Sequence, residues 1–485
     1  MTKATIHNGD AVTALRRMPP KSVHCCVTSP PYWGLRDYGT DPLVWGGDPE
    51  CNHDWVEHVQ PAANGIVHDG GMSGETLSGR SATRRPKRSD FCRCGAWRGC
   101  LGLEPTPQLF VAHLVMVFAE VWRVLRDDGT LWLNLGDSYA SGKGSCFNPG
   151  GGETSFKDRR KEAGVMNLNR LNKSDLEAVN LKPKDLVGIP WMTAFALRDA
   201  GWYLRSDIIW AKPNPMPESV RDRPTKAHEY LFLLSKRERY YFDGEAIKEE
   251  STQDERRPTF RGGAYVNNET FDNGNGGKST DTGNVRLPRD PGPREPRPGI
   301  DSHGGNQANG QIPNVSLYRN RRSVWEIATE PYSEAHFATF PTRLVEPCIL
   351  AGSSSRGCCP DCGAPWERQT TSTRKATRPA AKTKLADGKA IVHRVHHGKE
   401  VGNRDPERHI SETVTTGWGP GCKCDAGEPV ACRVLDPFAG ACTTAVVALR
   451  LGRDFIGAEL NREYAEMGRR RIRDDQPLLS SVEVV

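Results

Sequence analysis

The apolar run Val23-His24-Cys25-Cys26-Val27-Thr28 is cut off by Ser29-Pro30-Pro31-Tyr32, and this junction narrows most what the chain can build. Two prolines lack the N–H groups a strand needs to continue, so the run reads as a strand that stops abruptly at Ser29. It then presents backbone carbonyls and a ring at the sheet's edge, a ledge suited to a flat ring bearing an amine. A second junction lies near the carboxyl end, where Cys432-Arg433-Val434-Leu435 runs into Asp436-Pro437-Phe438-Ala439-Gly440-Ala441-Cys442-Thr443-Thr444 and a helical pattern. Glycine there permits a tight turn from strand to helix, aiming loop amides and the helix N-terminus at a ligand.

Strand-like and helical stretches alternate between these junctions. Thr5-Ile6-His7, a helix over Ala11 to Arg17 and the strand ending at Ser29 read as a compact β-α-β unit. Gln108 to Leu125 has helical spacing of apolar residues, Asp127-Asp128-Gly129 ends it, and Thr130 to Leu135 reads as a buried strand. A helix from Pro190 to Asp199, a strand from Tyr203 to Trp210 and another from Tyr230 to Leu234, extending towards Phe242, repeat the cycle. The expected fold is α/β: a doubly wound, mostly parallel sheet with helices on both faces.

A chain of 485 residues holds ample core, but only 36% of it is hydrophobic and it carries 49 Gly and 35 Pro, so loop-rich insertions are expected. A net charge of +6 is compatible with a polyanionic partner and modest for this length. No uninterrupted apolar run reaches bilayer length and no signal-peptide core follows Met1, so the reading is cytoplasmic, with no membrane partner. Fifteen cysteines in a reducing compartment point to metal ligation or burial before disulfides.

About two dozen residues after Asp436, the strand Phe455-Ile456-Gly457-Ala458 ends at Glu459, where a carboxylate suits the two hydroxyls of a ribose. There is no phosphate-cradling lysine, so a nucleoside cofactor is preferred to a nucleotide. Together, Thr28-Ser29-Pro30-Pro31-Tyr32-Trp33-Gly34-Leu35-Arg36-Asp37-Tyr38-Gly39 and the Asp436 to Thr444 turn resemble the β-type amino-methylating DNA methyltransferases of phages and bacteria. The resemblance implies a Rossmann-like fold that binds S-adenosylmethionine through Asp436, Pro437, Phe438, Gly440, Thr443 and Glu459, with Asp10 at the adenine amine and Phe340 over the methionine end. It implies that Ser29, Pro30, Pro31 and Tyr32 are catalytic, acting on a base flipped out of double-stranded DNA. Serine at the first position is associated in this family with cytosine N4, and adenine N6 is the alternative. Cys442 stands where the family has its last glycine, which leaves open a catalytically impaired, zinc-dependent DNA-binding protein. A cognate restriction nuclease and the oligomeric state are open.

The expected division is 1–47 with 103–243 for the catalytic half, and 323–355 with 432–475 for the cofactor half. A Cys/His insertion spans 48–102, a target-recognition region 244–322, a zinc-ribbon-like insertion 356–431 and a tail 476–485. Cys359, Cys362, Cys422 and Cys424 form two short pairs of soft donors, as a structural zinc requires. Cys51, His53, Cys92 and Cys94 offer a second set, each pair one residue apart. Zinc would supply the folding free energy that such insertions lack.

Overall fold

The computed structural model describes residues 2–34, 39–55, 90–140, 179–251, 315–316, 318–330, 332, 334, 339–376, 409–425, 427–477 and 480–485. They divide into two compact units, one of Met1–Ile247, Arg322–Arg368 and Trp418–Val485, the other of Lys248–Arg321 and Gln369–Gly417. In chain order the elements are β1 (Thr2–Asn8), α1 (Ala11–Arg16), β2 (Val23–Thr28), β3 (Leu43–Trp45), β4 (Trp97–Gly99), α2 (Pro107–Val124), β5 (Leu125–Leu135), α3 (Ile189–Asp199), β6 (Tyr203–Ala211) and β7 (His228–Ser235). There follow β8 (Glu249–Glu250), β9 (Val315–Ser316), β10 (Tyr318–Arg319), β11 (Val324–Glu326), α4 (Thr342–Gly352), β12 (Trp366–Ala376), β13 (His409–Pro420), β14 (Arg433–Asp436), α5 (Thr443–Arg450), β15 (Asp454–Glu459), α6 (Arg462–Asp475) and β16 (Ser480–Val484).

The first unit is built on one sheet of order β11-β6-β7-β5-β2-β14-β15-β1-β16. All neighbours are parallel except β7, which runs antiparallel to both β5 and β6. Alternating side chains feed two cores. Leu131, Leu133 and Leu135 of β5 join Phe110, Leu114, Phe118 and Leu197 of α2 and α3 on one face. Trp132 joins Leu344, Ile349, Ala445 and Ile472 of α4, α5 and α6 on the other. The expected doubly wound α/β sheet is present. In the second unit, β8 pairs antiparallel with β10 and β9 lies parallel to β13.

Local chemistry fixes the helix starts. Thr106 caps α2 by accepting from Leu109 N–H, with Pro107 behind it, and Asn461 accepts from Glu463 and Tyr464 N–H at α6. Among the described residues α2 alone is long and apolar enough to cross a membrane by length and composition; Gln108, His113, Glu120 and Arg123 interrupt its apolar residues, and it is the helix that fills the first core.

Three expectations are corrected. β1-α1-β2 is not a closed unit, because β14 and β15 lie between β1 and β2. β2 is buried along its whole length, which demands a strand on each side, and the late strand β14 supplies one of them. The helix ends at Val124 rather than at Asp127-Asp128-Gly129: Leu125 turns to extended backbone and β5 starts there, its acidic pair held by Lys21, Lys236 and Arg126. β7 ends at Ser235 and does not extend to Phe242, since the Ser235 hydroxyl donates to Arg237 O and Lys236 turns its amine onto Leu125 O.

Candidate active site

Because β2 and β14 are hydrogen-bonded neighbours, with Cys25 opposite Val434 and Cys26 opposite Leu435, the two junctions emerge side by side at the carboxyl ends of adjacent strands. The Thr28 hydroxyl donates to Asp436 Oδ1 at 2.6 Å, the Thr444 hydroxyl to Oδ2 at 2.8 Å, and Phe438 N–H to Oδ1 at 3.0 Å. Burial pushes the Asp436 carboxyl up to about 6. Only 1% exposed, Asp436 points into the protein and ties the two loops together. Pro437 is buried beside it.

Ser29, Pro31 and Tyr32 stay partly exposed on the ledge, while Pro30 is buried. The Tyr32 hydroxyl lies 2.6 Å from Glu229 Oε2 and 3.0 Å from Asn134 Oδ1, and Ser29 Oγ approaches it at 3.5 Å. Asn134 Nδ2 also donates to Glu229 Oε2 and to Tyr230 O, and Lys212 pairs with the other Glu229 oxygen. The ring is thus fixed at its far end by β5 and β7 together. Its near face crosses Gly136, where a Cβ would fall 2.5 Å from Cε2. Thr28, Val27, Asn134, Leu231, Leu344 and Phe340 line one small cleft beside it. Residues 35–38 lie outside the described residues, as do 335–338 before Phe340.

Across the strand ends, Glu459 closes the second junction. Its Oε2 accepts from Gly440 N–H at 2.7 Å and its Oε1 from Asn461 N–H at 2.9 Å, while burial raises the carboxyl to about 7. Gly9 N–H donates to Glu459 O at 3.0 Å, bringing the start of α1 to the same rim. Asp10 accepts from Thr13 N–H through Oδ1 and so caps α1. Thr443 is buried and receives Arg471 Nη1, which also donates to Ala441 O. Phe438 is half-buried against the first core.

Cys442 has φ 57°, in the left-handed region that favours glycine. Its side chain is wholly buried and rests on the bare backbone of Gly468 in α6, where an added Cβ would lie 2.3 Å from Sγ. The thiol therefore takes no space at the open rim of the turn.

Two of the cysteine sets come together as the spacing suggested. The donor atoms of Cys51, His53, Cys92 and Cys94 lie within 4.8 Å of one another, as do those of Cys359, Cys362, Cys422 and Cys424. The second set sits at the amino end of β2: Gly363 O faces His24 Nε2 at 2.9 Å and Cys362 O accepts from Arg126 at 2.6 Å. A third group, His24, Cys358 and Cys432, escaped the sequence reading. His24 Nδ1 accepts from Arg433 N–H at 3.0 Å, so both ring nitrogens serve the backbone and the imidazole acts as a tie.

The family model described as DNA methylase matches residues 23–362 and 432–470, both junctions included. The chain belongs to the N4/N6 DNA methyltransferase family. Type II methyltransferase M.Cfr9I of Citrobacter freundii is 37% identical over 350 residues, 72% of this chain and 73% of that protein. M.XycI of Xanthomonas campestris pv. cyanopsidis gives the same identity and coverage, and M.SmaI of Serratia marcescens is 31% identical over 464 residues, 96% of this chain and 89% of that one.

For this methyltransferase the sequence reading missed Glu229, Asn134 and Asp137. Asp137 accepts from Gly188 and Ile189 N–H and so caps α3, which lacks a side-chain cap of its own. The signal was present in polar residues placed at the ends of apolar strands, Asn134 and Asp137 closing one and Glu229 opening another. Asn214, after β6, exchanges hydrogen bonds with Thr329 in an exposed position.

Proposed function

We propose that this chain methylates the exocyclic N4 amine of a cytosine flipped out of duplex DNA, with S-adenosylmethionine as donor, as the modification half of a restriction system. The observation that carries the reading is the 2.6 Å bond from Thr28 to Asp436, which supports a base ledge and a glycine turn sharing one crevice. The rim suits a nucleoside-bearing donor: Gly440 is partly exposed against the Glu459 carboxylate, Gly9 beside Asp10 bonds to Glu459 O, and the Cys442 thiol is packed away on Gly468. When bound, that donor supplies an electrophilic methyl sulfonium.

An amine conjugated with a pyrimidine ring is a poor nucleophile, since its lone pair is delocalised. Ser29 Oγ and the Pro30 carbonyl, as acceptors for the two amine hydrogens, hold the nitrogen where its lone pair is freed towards the methyl group. In the transfer these residues would serve, the N–C bond would form as the S–C bond broke, the sulfur leaving as a neutral thioether and one amine proton passing to solvent, with no covalent enzyme intermediate required. Tyr32, pinned through its hydroxyl to Glu229 and Asn134, offers its ring to the extruded base and offsets part of the few kcal/mol that flipping costs. We read the two four-donor clusters as structural zinc sites.

Incubation with methyl-labelled donor and unmethylated duplex, followed by digestion to nucleosides, tests this reading. Label is expected in 4-methylcytosine. Label in 6-methyladenine overturns the choice of base, and no label overturns the activity.

A further inference from the structure

Cys51 Sγ lies 3.8 Å from Cys92 Sγ, and Cys94 Sγ lies 3.4 Å from His53 Nδ1. Zinc bonds of about 2.3 Å to sulfur and about 2.0 Å to nitrogen put the edges of a tetrahedron at about 3.8 Å and 3.5 Å. The backbone is bent to the same end. Gly95 has φ +88° and donates to Cys92 O, Cys92 N–H donates to Ala96 O, and Gly47 passes so close that a Cβ would fall 2.8 Å from Cys94 Sγ.

Seven residues lie between Cys94 and Gly102, and Trp97 among them ties the stretch to its neighbours. Trp97 pairs with Trp45 across β3 and β4, and both rings stack on His113 of α2, at 5.0 Å for Trp45 and 5.3 Å for Trp97. His113 Nδ1 meets Glu104 Oε1 at 2.9 Å in a buried pair, and Glu104 Oε2 accepts from Gly102 N–H at 2.8 Å. The segment then reaches the catalytic ledge. Gly102 O accepts from Gly34 N–H at 2.7 Å and Glu104 O from the Trp33 indole at 2.9 Å, while a Cβ on Gly102 would lie 3.2 Å from both Pro31 Cβ and Tyr32 O. The second cysteine cluster is attached elsewhere, to the amino end of β2 through His24 and Arg126.

We propose that Cys51, His53, Cys92 and Cys94 bind a Zn2+ ion that holds the Trp97–Glu104 segment in place and thereby shapes the Pro31–Gly34 loop for base capture. These four are positioning residues. The zinc and loop-order parts of the proposal stand independently of the methyl-transfer reading; only the turnover part rests on it.

The test compares Cys94→Ser with Cys424→Ser in the full chain by metal analysis, amide hydrogen exchange and steady-state kinetics. Cys94→Ser is expected to lower zinc from two to one per chain and to speed exchange at Gly34 and Gly102 about tenfold or more. It should lower the transfer rate about tenfold at saturating DNA and donor, with the donor KM within about twofold. Cys424→Ser should also lose one zinc but leave exchange at Gly34 and Gly102 unchanged. If Cys94→Ser does not fold, stepwise chelation of the wild type gives the same reading, with exchange at Gly34 rising as the metal leaves. Full zinc content in Cys94→Ser, or zinc loss from that set without faster exchange at Gly34 and Gly102, overturns the proposal. A wild type that shows the exchange coupling but transfers no methyl group overturns the activity reading and leaves this one standing.

Discussion

Gly136 leaves no room for a side chain where the Tyr32 ring crosses it, at 2.5 Å from a virtual Cβ. Gly136→Ala is therefore expected to push the ring off its Glu229 and Asn134 anchors. Steady-state kinetics should show a transfer rate lower by about tenfold, with donor affinity unchanged. Gly468 serves the opposite side: its bare backbone receives the Cys442 thiol, and Gly468→Ala forces the two together at 2.3 Å. That overpacking should cost about 1–3 kcal/mol, read from the midpoint of denaturant unfolding. At this scale the sequence was only partly legible. Ser29-Pro30-Pro31-Tyr32 and Asp436 to Thr444 are contiguous strings that announce themselves. Glu229 and Asn134 are single polar residues at the ends of apolar strands, brought to Tyr32 by strand pairing across about a hundred residues or more, and their local setting does not say which side chain they will meet. Cys442 looked like an intrusion because the pairing of its thiol with Gly468 is a contact between helices.

Adjacent strands β2 and β14 hold the two junctions, and Asp436 is the element-scale tie between them. Burial raises its carboxyl from an ordinary value of 3.8 to about 6. A carboxyl whose folded pKa is raised keeps its proton longer in the folded chain than in the unfolded one. Its contribution to stability is therefore complete below about 4 and lost as pH rises through about 6, a change on the order of 3 kcal/mol. Urea unfolding at a series of pH values should show that decline in the wild type and a flatter profile in Asp436→Asn. The strand alternation was readable from hydrophobic periodicity. The placing of β14 and β15 between β1 and β2 was not, since order in a sheet is decided by which buried strand needs which neighbour.

For the whole molecule, one doubly wound sheet with a core on each face carries both halves of the site on its carboxyl-terminal edge. Of the two four-donor clusters, one is tied to His24 at the amino end of β2 and the other is followed in the chain by the Gly102 segment that bonds to Gly34 beyond its carboxyl end. The fold class followed from the alternation of strands and helices. The division into two units did not coincide with the composition-based segments: the first cysteine set and the stretches at 356–368 and 418–431 belong with the catalytic sheet, because Trp45, Trp97 and Leu101 enter its core and Gly363 bonds to His24. Most of the expected target-recognition region, 252–314, lies outside the described residues.

The central claim is that base and donor occupy opposite walls of one crevice, and paired variants measure it most directly. Calorimetric donor binding and single-turnover methyl transfer are compared for Tyr32→Ala and Glu459→Ala. Tyr32→Ala should keep the donor Kd within about twofold while transfer falls about a hundredfold, and Glu459→Ala should raise the donor Kd about tenfold or more, with transfer recovering at high donor concentration. Equal loss of donor affinity and transfer in both variants, however much donor is added, would contradict the account.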